Sequence, residues 1–250
     1  MPDSAATWTE IPVAGRTCWC CEPPEPSPHG YVAIYLHSSR GERLSERPAV
    51  LAALAKRGLR VICPMTGPSW WVDRGGSDDA DGPTAERLVI DNVTRLASER
   101  WGAEPPQLAL VGVGMGGQGA LRIAYKRPRM FPVVAAVAPT LDFHHRMADG
   151  DPVLRSLYRD VEQARQDTAI LHVHPLNWVR HQWFCADSAD YESWNAADRL
   201  RMKLASMGIP FECDLETTTA EDGGSYVDQM AEPAVDFLAR ALERERLRVV

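Results

Sequence analysis

Residues 107 to 119 read Gln107-Leu-Ala-Leu-Val-Gly-Val-Gly-Met-Gly-Gly-Gln-Gly119, an apolar run followed by five glycines in eight residues. The run fits a strand buried on both faces, and an amphipathic stretch continues from the glycines to Lys126. Strand, tight turn and helix form the unit from which a helix-covered parallel sheet is assembled. Such a sheet places its reacting or binding groups at the C-terminal ends of its strands, where this turn falls. By spacing alone, Gly112, Gly114 and Gly117 satisfy the G-x-G-x-x-G dinucleotide pattern. That pattern needs an acid at the end of the following strand to hold a ribose, and the chain reads Val137-Ala-Pro-Thr140 there. No nucleotide cofactor is expected.

Outward from this unit the same rhythm repeats. Short apolar runs at 31–37, 60–63, 107–112, 133–138, 182–185 and 210–214 predict strands, and 8–13 with 17–22 predict an antiparallel hairpin through Gly15. Helices are expected at Pro48–Lys56, closed by Gly58, at 85–100, at Met115–Lys126, and from near Glu232 to the end. The stretch 142–177 is irregular, with helix candidates at 153–166, and is expected to form a small cap at the sheet's C-terminal edge. The expectation is α/β: one domain over 1–250, a mostly parallel central sheet with an N-terminal antiparallel hairpin, and helices on both faces.

Composition narrows the function classes. The chain has 250 residues, 45% hydrophobic and 24% charged, which suits an ordinary globular protein. Its 27 Lys and Arg are outnumbered by 34 Asp and Glu, giving a net charge of −7 with no basic block, so a nucleic-acid partner is not expected. No long apolar run or leader pattern occurs, so neither a membrane span nor secretion is expected, and a cytoplasmic location is. Cys18, Cys20 and Cys21 lie together, but no His or further Cys is near in sequence; reduced, buried thiols are expected, and no metal.

The turn also fits a second motif, G-x-S-x-G, with its serine replaced: Gly112-Val-Gly114-Met-Gly116. Together with Ile34-Tyr-Leu-His37 leading into a loop, Ser69-Trp-Trp-Val-Asp73 after the next strand, and Met230-Ala-Glu-Pro233 opening the last helix, the chain resembles the α/β-hydrolases, specifically the esterase D and S-formylglutathione hydrolase group. The resemblance covers most of the chain. It implies that Gly114 stands at the nucleophile position and that the Met115 N–H is one oxyanion donor. Ser38 and Ser39 occupy the loop that would supply the other, where the family has glycine.

The resemblance further implies a triad acid after the strand ending at Cys185, with Asp190 the first choice and Asp187 the second. The base position falls on Gly224 if Ser225 is matched, or on Asp222 if the count runs back from Met230. All seven histidines lie at or before His181, so the last 69 residues contain no imidazole. Glycine can neither attack an ester nor take a proton.

The remaining candidates are Trp70, Trp71 and Asp73 as pocket walls, and His145, beside His144, as a substitute base or ligand contact. Ser38 and Ser39 are the hydroxyls beside the oxyanion position, with His37 as their sequence neighbour. His172 and His174 alternate with apolar residues, and hydrogen-bonded loop imidazoles are the expected reading. Three functional readings follow. One is a degenerate esterase that keeps a cleft for an ester-like small molecule; another is an active hydrolase, lyase or isomerase with rewired residues; the third is a structural or partner-binding module, with a homo-oligomer open in each case.

Overall fold

A computed structural model describes residues 6–75, 82–220 and 225–249. Alternation along the strands decides the layering. In β3 (Val32–Leu36), Val32, Ile34 and Leu36 join one apolar cluster, while Ala33 and Tyr35 join another on the opposite face. The same division holds in β5 (Leu108–Val113) and β6 (Val133–Val137). Strands buried on both faces need helices on both sides.

With β1 (Thr7–Val13), β2 (Arg16–Glu22), β4 (Arg60–Pro64), β7 (His181–Cys185) and β8 (Glu212–Asp214), the strands form one sheet in the order β1-β2-β4-β3-β5-β6-β7-β8. The first two pairings are antiparallel and the remaining five are parallel. The architecture is the one expected, with small shifts at strand ends. The strand expected at 210–214 shortens to three residues.

Helix α1 (Pro48–Lys56) packs on one face. Helix α2 follows as Ala85–Arg87, a π-helical stretch Leu88–Val93 and Thr94–Trp101, running on without a break, and packs on the other. Helix α3 (Met115–Lys126) leaves the elbow, and its residues from Met115 to Tyr125 are all buried. Three short helices, α4 (Phe143–Ala148), α5 (Pro152–Leu157) and α6 (Val161–Gln166), occupy the segment expected as a cap. They contribute Phe143, Leu154 and Ala164 to the same cluster as α2 and α3, so the segment is built onto the main core. Helix α7 (Tyr191–Ser206) covers that face too, and α8 (Ala231–Val249) covers the other. Among the described residues, no helix is long and apolar enough to cross a membrane.

The thiols obey the same alternation. Cys18 and Cys20 belong to one cluster and Cys21 and Cys63 to the other, so the sheet itself lies between them. Burial pushes Cys20 and Cys21 up to about 11, the behaviour of inert core thiols.

Helix α3 is fixed by charge as well as by packing. Arg122, 2% exposed, donates to Glu86 of α2; it also donates to both the carboxylate and the carbonyl of Asp167, beyond α6, these contacts spanning 2.5 to 3.0 Å. Lys126 reaches Glu86 at 2.6 Å, and Tyr158 and His172 reach Asp167 at 2.9 and 3.0 Å. Burial alone would raise the Asp167 carboxyl; the His172 hydrogen bond and the Arg122 charge outweigh it and hold the group well below the ordinary carboxylate range.

Removing Arg122 takes one cation from each of two carboxylates while Lys126 and His172 remain, so Arg122→Leu is expected to lose about 3 kcal/mol in urea unfolding. Because the folded Asp167 value is depressed, its contribution is complete above the unfolded value of about 4 and fades as pH falls below it. Asp167→Asn should therefore flatten the acid limb of the stability profile, measured as urea midpoints between pH 6 and pH 2.

Candidate functional site

The elbow is built of glycines that have no room for anything else. A Cβ at Gly116 would overlap the Leu36 carbonyl, one at Gly112 the Gly116 carbonyl, and one at Gly119 the Trp71 side chain. Gly114 differs. Its Cβ position meets only Ser38 Cβ at 3.8 Å and Thr140 Oγ1 at 3.9 Å, ordinary contact distances. Its φ of 57° and ψ of −115° make a conformation that side-chain-bearing residues adopt only under strain. The turn thus has space for a side chain at residue 114 and a backbone that glycine relaxes.

Three hydrogen bonds set this turn. Gly114 donates to the Val137 carbonyl at 3.0 Å, and its own carbonyl accepts from Gln118 and Thr140 at 3.0 and 3.1 Å. Met115 is the first residue of α3, so its N–H has no acceptor within the helix and carries the positive end of the helix dipole. Thr140 was not singled out from the sequence. Its place directly beyond the end of β6 was the available signal.

The loop after β3 supplies the opposite side. Ser38 Oγ donates to Glu42 at 3.2 Å and accepts from Arg40 N–H at 3.2 Å. Glu42 accepts from Arg47 at 2.6 Å, and the Arg47 guanidinium also points to Ser225 Oγ at 3.5 Å. Burial works to raise the Glu42 carboxyl, but Arg47 outweighs it and keeps the group ionised and weakly basic. Ser39 is exposed on the same loop. Glu42 and Arg47 escaped sequence reading because neither belongs to a spaced pattern.

His37 is not a base for Ser38. Its Nε2 accepts the Thr66 N–H at 3.1 Å, which leaves Nδ1–H to donate to the Ser38 carbonyl at 2.7 Å. Burial lowers its pKa and keeps the ring neutral. The other histidines are engaged elsewhere: His172 on Asp167, His174 on the Leu176 N–H, and His181 on Glu245. His29 lies against Tyr31, and His144 and His145 border a separate cavity on α4 that neither Gly114 nor Ser38 lines.

The other expected residues take the following places. Asp190 is the N-cap of α7, accepting from Ser193 Oγ at 2.6 Å. Asp187, the second choice, reaches the loop beyond β8: its carboxylate takes both the hydroxyl and the N–H of Thr219. Trp71 is fully buried, with its indole donating to the His37 carbonyl at 3.2 Å, and Trp70 is 4% exposed against Phe143. Both belong to the apolar core cluster on the α3 side of the sheet. Asp73 accepts from Thr84 at 2.7 Å and pairs with Arg87, which ties it to the start of α2. Asp222 and Gly224 lie outside the described residues.

Residues 77–206 match the family model for esterases ("Putative esterase"). An S-formylglutathione hydrolase of Bos taurus is 28% identical over 105 residues, 35% of this chain and 37% of that protein's length. Among solved structures, an S-formylglutathione hydrolase from Agrobacterium tumefaciens superposes with a TM-score of 0.72 at 17% identity, covering 95% of this chain and 94% of its own. A substrate-bound fluorophosphonate-binding serine hydrolase from Staphylococcus aureus gives 0.76 at 12% identity, covering 94% and 98%. These likenesses establish the fold.

The steric contrast within the elbow is directly measurable. Gly114→Ala is expected to fold with a loss of about 1–3 kcal/mol, the cost of the left-handed backbone alone. Gly116→Ala should lose more than that and shift α3 away from β3, read by urea unfolding and near-ultraviolet circular dichroism.

Proposed function

The chain belongs to the Esterase family, and from that premise we propose that it is an esterase-like protein that has lost triad hydrolysis and keeps its cleft for an ester-like small molecule. One observation carries this reading: Gly114 sits in the strained turn, with open space beside it and no side chain to attack. The sequence supports it too, since no histidine follows His181. Losing the serine or the histidine of such a triad costs on the order of a million-fold in turnover.

What remains suits recognition of a carbonyl. The Met115 N–H offers a donor at the helix start, and Thr140 offers a hydroxyl beside the vacated position. We assign the acid's place to Asp187 in preference to Asp190, because its carboxylate reaches across to Thr219 in the loop beyond β8. The glutathione thioester named for the relatives is one ligand of this class to try first.

The Ser38–Glu42 hydrogen bond favours a second reading, a rewired hydrolase. In it Ser38 Oγ attacks the acyl carbon as its proton passes to Glu42, Glu42 returns that proton to the departing alkoxide, and a water then hydrolyses the Ser38 ester to release the acid and restore the hydroxyl. Arg47 weakens Glu42 as a base, which argues for the first reading.

The purified protein is expected to hydrolyse p-nitrophenyl acetate no faster than its Ser38→Ala variant, and to take no fluorophosphonate label. Gly114→Ser combined with Gly224→His, or with Asp222→His, should raise the rate on the order of 100-fold or more. Wild-type turnover abolished by Ser38→Ala, with a labelled Ser38, would reject the first reading for the second.

A further inference from the structure

Away from the elbow, a cavity of about 270 Å³ opens between the start of α4, the turn after α6 and the middle of α7. Its apolar lining is Leu141, Ile170 and Leu171. Its polar lining is unbalanced: Arg165, Arg199, His144 and His145 stand against a single carboxylate, Asp142. Asp142 is engaged on both oxygens, accepting from the His145 backbone N–H at 3.0 Å and from Arg199 at 2.5 Å. Arg165 holds Glu162, which lies outside the lining, through two hydrogen bonds at 2.7 Å, with both side chains about half exposed, so a bound carboxylate would share or take over the guanidinium. An engineered 150 Å³ cavity holds benzene, so this one has room for a body of roughly six to ten heavy atoms.

We propose that this cavity binds a small organic carboxylate, its apolar body against Leu141 and Ile170 and its carboxylate against Arg165 and Arg199. The site does not rest on the state of the elbow. It is nonetheless close in sequence to it, since Leu141 follows Thr140, whose N–H holds the Gly114 carbonyl. A carboxylate is the product class of ester cleavage.

The probes are sodium hexanoate and 1-hexanol, which share a body and differ in charge, followed by ligand-observed NMR titration on the full chain. Hexanoate is expected to saturate and to bind about tenfold more tightly than hexanol, the factor of one charge-assisted hydrogen bond. Arg165→Gln, at a half-exposed position, should reduce the hexanoate affinity severalfold with an unchanged urea midpoint, as should Arg199→Gln. Equal affinity for the two probes, or hexanoate binding unmoved in both variants, overturns the proposal.

Discussion

The approach of α3 to the end of β3 is the constraint on which the site depends. The Leu36 carbonyl occupies the space where any residue but glycine at 116 would put its Cβ. Once that contact is made, the turn between β5 and α3 has nowhere to relax, and residue 114 is forced to positive φ. The same close fit puts Trp71 over Gly119, and its indole nitrogen pins the His37 carbonyl at the root of the Ser38 loop. One steric contact thereby places both halves of the cleft relative to each other.

A helix drawn in so tightly is buried along nearly its whole length, and this explains why charge is found inside. Arg122 and Glu86 are 2% and 1% exposed, an arrangement tolerable only because every donor meets an acceptor. The network ties α3 to α2 beside its π-helical stretch and to the loop carrying Asp167. An isolated buried arginine here would be ruinous. As a closed set it fixes which surfaces meet.

Much of this was legible in the chain. Runs such as 133–137 are too apolar to be anything but interior strands, and the glycines of the elbow have no other physical reason to cluster. The site was less legible, for reasons particular to each residue. Asp187 and Asp190 follow the same strand three residues apart, and only the direction of each carboxylate separates a helix cap from a contact across to Thr219. Trp70 and Trp71 stand at a strand end where a pocket wall is plausible, yet both adopt positive φ, 53° and 54°, and turn inward. Side-chain alternation divided the cysteines between the two faces, as strand geometry requires, once the register of β2 against β4 was fixed.

The Arg122 network gives the cleft two unlike walls. On the α3 side, backbone, indole and ion cluster are interlocked, so that wall behaves as a solid. On the other, the loop bearing Ser38 is joined to Ser225 through one chain of side chains, Glu42 and then Arg47, the last link 3.5 Å long. The two flanks of the elbow therefore differ in stiffness: the α3 side is held from several directions at once, whereas the tip of the Ser38 loop meets the start of the C-terminal segment through one guanidinium.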